Sequence, residues 1–289
     1  MHAHLKPLLI FAVIALLVGC SSAPAAAPGV SADGHHASPT DGQPAKKLIW
    51  SDDFTGPAGA SPDPAKWKVV TGAYGSGSHE LEYYTARSSN VALDGAGHLV
   101  ITARRETHTG HGVTRPYTSG RLETGGLFQT TYGELDSRIK LPAGAGLWPA
   151  FWALGSDYPR VGWPGSGEID MMEALGQDSF TAYGTIHGPS SSSSAGWSMT
   201  VYKRTRVSLA AGFHVYGVRW SPGKILFTFD GVPYAVRTRS DLRPGDRWVL
   251  NKPFYLLLNL AVGGVWPGNP NASTPFPARM LVDWVRVYS

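Results

Sequence analysis

An all-β fold, an antiparallel two-sheet sandwich of jelly-roll type, is what these 289 residues predict. Three observations lead there. Gly (35) and Pro (22) are abundant and recur between short apolar runs, as tight turns between strands require. Ten Trp and twelve Tyr supply the bulky aromatics that suit a pleated, half-buried surface. No long stretch carries the 3.6-residue period of an amphipathic helix. Apolar content of 43% against 16% charged residues allows a sizeable core, so disorder is not the default. About 240 residues read as globular, ordinary for one large β-sandwich.

In chain order, residues 1–19 carry His2, His4 and Lys6 and then the apolar run Leu8 to Val18. The run is too short for a lasting membrane span and reads as a signal peptide. It ends Leu17-Val18-Gly19-Cys20, with the chain's one cysteine at the last position. The globular part therefore has no disulfide and no thiolate metal site. Residues 20–46 are Ser, Ala, Pro, Gly, His and Asp, the composition of a flexible tether. The globular domain is expected over 47–289.

Within it, structure is expected to start at Leu48-Ile49-Trp50, with a Pro/Gly-rich loop before Trp67. Leu99-Val100-Ile101 reads as a strand followed by a loop around Gly110–Pro116. Two β-rich segments cover 121–128 and 132–141. A tryptophan-rich strand, Trp148-Pro149-Ala150-Phe151-Trp152, and an acid-bearing strand follow. The Ser-rich stretch from Gly188 to Gly196 reads as a loop that borders the cleft or is simply slack, the second being the favoured reading. His214 to Trp220 and Ile225 to Asp230 are strands joined to later ones through a hairpin-type Asp230-Gly231 turn. Phe254 to Val262 is nearly continuous in apolar residues, as a strand covered on both faces would be, and Leu281 to Tyr288 alternates. The formal charge of +4 is too mild and too scattered for nucleic acid.

The chemistry concentrates in Gly167-Glu168-Ile169-Asp170-Met171-Met172-Glu173. Strand side chains alternate, so Glu168 and Asp170 share a face while Glu173 would fall on the other. A β-bulge between Asp170 and Glu173 brings Glu173 back to that face. Three crowded carboxylates resist joint ionisation, so their roles separate: one stays ionised as nucleophile and another keeps its proton as general acid. Retaining glycoside hydrolysis needs such a pair. An edge strand with acids facing water is the plainer alternative. Trp148, Trp152 and Trp163 are candidate platforms for sugar rings, and each could instead be core.

Gly-Glu-Ile-Asp-Met-Met-Glu resembles the signature of glycoside hydrolase family 16, in the form found in its laminarinase-like (β-1,3-glucanase) branch. The similarity runs from about Trp50 to Tyr288, through Trp50-Ser51-Asp52-Asp53-Phe54, Glu80-Leu81-Glu82-Tyr83-Tyr84-Thr85, Ser119-Gly120-Arg121-Leu122, Leu147 to Trp152, the acid motif, His187, Phe213 to Tyr216, Leu258 to Gly264 and Val282 to Tyr288. The resemblance implies a jelly roll with its substrate cleft on the concave face. It implies Glu168 as nucleophile, Asp170 as assisting acid and Glu173 as general acid/base, with His187 nearby. It also implies Asn90, Arg121, Asn259 and Trp266 as substrate-binding positions. A structural calcium at Asp53, Asp283 and the Gly97 carbonyl is a further implication, and no cofactor is expected for catalysis. Leu17 to Cys20 resembles a bacterial lipobox, with Cys20 lipidated and the enzyme exported and tethered to the cell envelope; an ordinary secretory leader is the alternative. Ala174-Leu175 and Glu82 depart from the branch's usual residues, which points to altered subsite contacts.

The expected activity is therefore an endo-acting retaining β-glucanase that cuts β-1,3 bonds, with mixed β-1,3/1,4 glucans a second substrate class, acting as a monomer on polysaccharide. A transglycosylase or galactan hydrolase of the same fold, and a non-catalytic glucan-binding sandwich, are the alternatives.

Overall fold

The computed structural model describes residues 46–75 and 77–289. The signal peptide, Cys20 and all but the last residue of the tether lie outside the described residues. The first strands are β1 (Leu48–Asp52), β2 (Lys68–Val69), β3 (Glu82–Tyr84), β4 (Val91–Leu93), β5 (Leu99–Gly110) and β6 (Val113–Ser119). Next come β7 (Arg121–Glu123), β8 (Gly133–Lys140), β9 (Leu147–Gly155), β10 (Glu168–Ala174), β11 (Thr181–Gly188) and β12 (Trp197–Arg204). The last five are β13 (His214–Ser221), β14 (Lys224–Phe229), β15 (Val232–Thr238), β16 (Phe254–Val262) and β17 (Ala278–Tyr288). Among the described residues helix is confined to one turn, α1 (Tyr158–Val161), and a 3-10 turn at Arg239–Asp241.

Two sheets result. The larger, 10-stranded, runs β15-β14-β13-β8-β17-β5-β6-β3, with β1 beside β17 and β4 beside β5. The smaller, 7-stranded, runs β12-β11-β10-β9-β16-β7-β2. The strand pairs among the described residues are antiparallel save β3 with β6, which run parallel and depart from the expected pattern. The inner faces meet in one core: Leu135 and Ile139 of β8, Val218 of β13 and Phe227 of β14 from one sheet, Ile169, Ile186, Leu256 and Leu258 from the other, all fully buried. Burying such side chains contributes about 1.5–3 kcal/mol each against water.

β16 spans the expected residues and every one of them is buried. Phe254, Leu256, Leu258, Leu260 and Val262 enter the core between the sheets. Tyr255 and Leu257 point the other way and pack with Leu154 beneath Trp152. A continuous apolar run is what a strand covered on both faces needs.

Other expectations are corrected. The loop expected at Gly110–Pro116 is a tight hairpin: β5 runs on to Gly110, and His111 and Gly112 turn with φ of 47° and 75° into β6. The β-rich segment 121–128 stops at Glu123, because the Leu127 and Phe128 amides bond back to the Thr124 carbonyl in a turn. The Ser-rich loop is anchored rather than slack, with Ser191 N–H bonded to the Gly245 carbonyl and a bridge between Ser190 and Asp246. Asp230 and Gly231 do form the hairpin turn, at φ of 49° and 75°, joining β14 to β15.

Candidate active site

The smaller sheet carries the acids. β10 pairs in register with β11 at Glu168↔His187 and Asp170↔Thr185, then at Glu173↔Tyr183. Three steps along β10 thus match two along β11, so β10 holds one extra residue between Asp170 and Glu173. The irregularity recurs against β9, between Asp170 and Met172. This is the expected bulge. It lets two consecutive side chains, Met171 and Met172, both enter the core at 2% and 0% exposure. Regular alternation would bury only one of them. The three acids therefore all line one cavity of about 860 Å³.

Inside the cavity the acids have few partners. His187 Nε2 lies 3.0 Å from Asp170 Oδ2 and 3.7 Å from Glu168 Oε1. Trp148 Nε1–H donates to Glu173 Oε1 at 2.9 Å. Burial and the nearby Asp170 charge push Glu168 up to about 8. Burial and the Glu168 charge push Glu173 up to about 7, against the pull of His187 and of the Trp148 N–H. Burial and Glu173 raise Asp170 well above the usual carboxylate range. Fewer than three negative charges therefore sit in this cluster near neutral pH. An arrangement that holds protonated and ionised carboxyls side by side suits acid/base work joined to nucleophilic attack.

The tryptophans expected as sugar platforms lie at the cavity. Trp148, Trp152, Trp163 and Trp266 all line the cavity. Trp163 is 46% exposed and its ring lies 6.0 Å from that of His187. Trp266 is 40% exposed and sits edge-on to Trp148 at 5.5 Å. Trp152 is held by its Nε1–H bond to Asn259 Oδ1, at 2.7 Å. Asn259 in turn donates to the Tyr84 hydroxyl at 3.2 Å, so both ends of its amide are engaged by protein. Arg121 lies over the Trp152 and Tyr74 rings, 5.0 and 5.5 Å from their centroids, with its buried Nε lacking a partner among the described residues.

Asn90 is a correction. It is fully buried away from the cavity, accepting from Thr85 Oγ1 and donating to the Thr102 carbonyl and Thr118 Oγ1. Its amide cross-links strands β5 and β6 to the turn before β4, a structural task that resembles a binding position only in sequence. Ala174 and Glu82, expected to alter subsite contacts, are both buried and line no part of the cavity. Glu82 Oε2 accepts from the Val262 N–H at 2.7 Å, and burial and the neighbouring Glu80 raise its pKa well above 4.5. A protonated carboxyl can make the contacts of an amide, so Glu82 fits a site built for Gln.

Sequence reasoning passed over Glu80, Tyr74, Thr185 and Thr200, which line the cavity. Glu80 accepts from Ser78 Oγ at 2.6 Å. At Gly75 φ is 75°, a left-handed backbone that favours glycine, and a Cβ there would lie 2.2 Å from the Glu80 carboxyl group, which would have to swing aside. Glycines at 72, 75 and 77 beside Glu80 are the signal in the sequence, since close backbone approach is a common reason for such a run.

The predicted calcium donors lie outside the cavity lining. Asp53 accepts from Arg286 at 2.9 Å, Asp283 is paired with Arg138, and Gly97 sits in the turn leading into β5. Hard oxygen donors suit calcium, yet both carboxylates here already hold a guanidinium that an ion would have to displace. Among the described residues the three-ligand grouping is instead Glu168, Asp170 and His187.

Comparison with known proteins bears on this site. The family model described as glycosyl hydrolases family 16 matches residues 78–286. A β-glucanase of Rhodothermus marinus is 37% identical over 256 residues, covering 86% of this chain and 87% of that protein. A glucan endo-1,3-β-glucosidase A1 of Niallia circulans is 37% identical over 83% of this chain, which spans 37% of that longer protein. Among solved structures, an endo-β-1,3-glucanase from Pyrococcus furiosus superposes with a TM-score of 0.77 at 46% identity, covering 84% of this chain and 94% of that one.

Proposed function

The chain belongs to glycosyl hydrolases family 16, and from that footing we propose that it is an endo-acting, retaining β-glucanase that cleaves β-1,3 bonds. The observation that carries the reading is the bulge in β10, which gathers Glu168, Asp170 and Glu173 on one wall of a tryptophan-lined cavity. Mixed β-1,3/1,4 glucans form a second substrate class.

In the first step the Glu168 carboxylate attacks the anomeric carbon. Glu173, held near neutrality by its surroundings, gives its proton to the leaving oxygen. An ionised Asp170 raises Glu168; with the proton on Asp170 instead, which its burial at 3% exposure favours, Asp170 donates to Glu168 and leaves that carboxylate ionised for attack. His187 holds Asp170 in place through its Nε2 contact. In the second step Glu173 takes a proton from water, which attacks the same carbon and returns the electron pair to Glu168. Trp148, Trp152, Trp163, Trp266 and Arg121 hold the sugar rings, with Asn259 fixing Trp152. No cofactor enters either step.

The direct test is a reducing-sugar assay on laminarin. Wild type should release reducing ends, and Glu168→Ala should lose at least about 10³-fold in kcat. Early product should carry the β anomer by proton NMR. Equal signal from wild type and Glu168→Ala would leave a glucan-binding sandwich instead.

Two further parts of the proposal lie away from the cavity. Cys20 is a lipidated residue that tethers the monomeric enzyme to the cell envelope. Asp53, Asp283 and the Gly97 carbonyl hold a structural calcium in exchange for their arginine partners. Added calcium should then raise Tm, reversibly by EDTA, whereas an identical Tm under both conditions removes the ion.

A further inference from the structure

The cavity extends to both sides of β10, and its two arms differ. Over β9, β16 and β7 lie Trp152, Asn259 and Arg121, with Glu80 and Tyr74 above them. The polar groups there are tied to one another, from Trp152 through Asn259 to Tyr84. Over β11 and β12 the lining is His187, which is engaged by Asp170, and then Thr185 and Thr200, which carry only hydroxyls.

Beyond those two threonines the same face carries tyrosines. Side chains two apart on a strand share a face, so Tyr183 lies with Thr185 and Tyr202 with Thr200. The register aligns Glu173 with Tyr183 and Tyr183 with Tyr202, one row across three strands. Tyr183 sits edge-on to Trp266 at 5.0 Å, and Trp266 to Trp148 at 5.5 Å. Trp148 holds Glu173. An aromatic path thus leads from the acid/base carboxyl through Trp148 and Trp266 to Tyr183. Across the strand pair from Tyr183, at the edge of the sheet, stands Tyr202, which is 68% exposed. Tyr202 joins neither buried cluster of the described residues, so core packing gives no account of it.

We propose that Tyr183 and Tyr202 form a leaving-group and acceptor subsite for β-glucan chains on the β11–β12 arm. The proposal rests on the hydrolase reading above. A double displacement holds the glycosyl half covalently while the other half departs and a new nucleophile enters. The arm with fixed polar groups suits the half that stays. The open arm, lined by hydroxyls and flat rings, suits a segment that must leave and be replaced. A glucan bound there can also return a hydroxyl as acceptor. Its oxygen bonds to the anomeric carbon, the bond to Glu168 breaks with its electron pair going to the carboxylate, and the hydroxyl proton goes to Glu173. The product is then a longer glucan.

The test compares two substrates in wild type, Tyr202→Ala and Tyr202→Phe. A laminarihexaose reaches the β11–β12 arm, and an aryl β-laminaribioside places only its aryl ring beyond the cleavage point. For Tyr202→Ala, kcat/KM on the hexaose relative to the aryl glycoside should fall roughly three- to tenfold, the scale of one aromatic contact. The ratio of transfer products to hydrolysis products should fall with it, and Tyr202→Phe, which keeps the ring, should restore most of both. An unchanged substrate ratio in Tyr202→Ala overturns the subsite, whether both rates hold or both fall together. A wild type that cleaves neither substrate removes the hydrolase reading, and this subsite with it.

Discussion

Trp148 lends its indole to the cavity wall and its N–H to Glu173. That hydrogen bond favours the ionised carboxylate, against burial and the Glu168 charge. Trp148→Phe keeps an aromatic wall and removes the donor, so Glu173 should hold its proton to higher pH. The basic limb of the kcat/KM profile, which loss of that proton from the free enzyme sets near 7, should move upward. An unmoved limb would mean that another group sets it. Glu82 supplies a stability counterpart. Its folded-state pKa lies above the ordinary 4.5, so the native chain binds more protons than the unfolded one as pH rises from there. Stability is then full below about 4.5 and declines above it. Glu82→Gln removes that decline, and Tm should rise by a few degrees at pH 7 with little gain at pH 4. The three acids and Trp148, Trp152 and Trp163 were legible in the sequence because a solvated loop has no use for acids and indoles set between apolar residues, whereas Trp266 was reached only through the family resemblance. Asn90 misleads because a buried amide cross-link and a sugar-binding amide look alike until the partners are known. Tyr202 escapes notice because exposure has no signature in a strand that alternates anyway.

The bulge in β10 makes a prediction at the scale of the strand. Deleting Met171 would leave Glu168, Asp170 and Glu173 at strict two-residue spacing, so all three would still share a face. Such a variant should lose about 2–5 kcal/mol of stability with the buried side chain and keep measurable glucanase activity. No activity in a folded deletion variant would show that facing is not what matters. Strands with strong pattern, β8, β13, β16 and β17, were readable because burial on one or both faces imposes its own period. Short strands such as β2, β3 and β4 were not, because two or three residues cannot display a period. β6 reads as a loop because Arg115 and Pro116 interrupt its apolar pattern, although the His111-Gly112 turn needs only two residues.

At the scale of the whole chain, the proposal gives residues 1–46 and the sandwich separate tasks. Cys20→Ser should move the protein from the membrane fraction to the soluble one while glucanase activity per molecule stays unchanged. Retention in the membrane fraction would exclude a lipid on Cys20. The sandwich itself contains a dependence on synthesis order. β17, last of the strands in the chain, sits inside the larger sheet and pairs with β1, β5 and β8. Until it has emerged from the ribosome, β5 and β8 present open edges to one another with no strand between them. A polypeptide that cannot complete its sheet during translation keeps those edges unpaired until β17 is made.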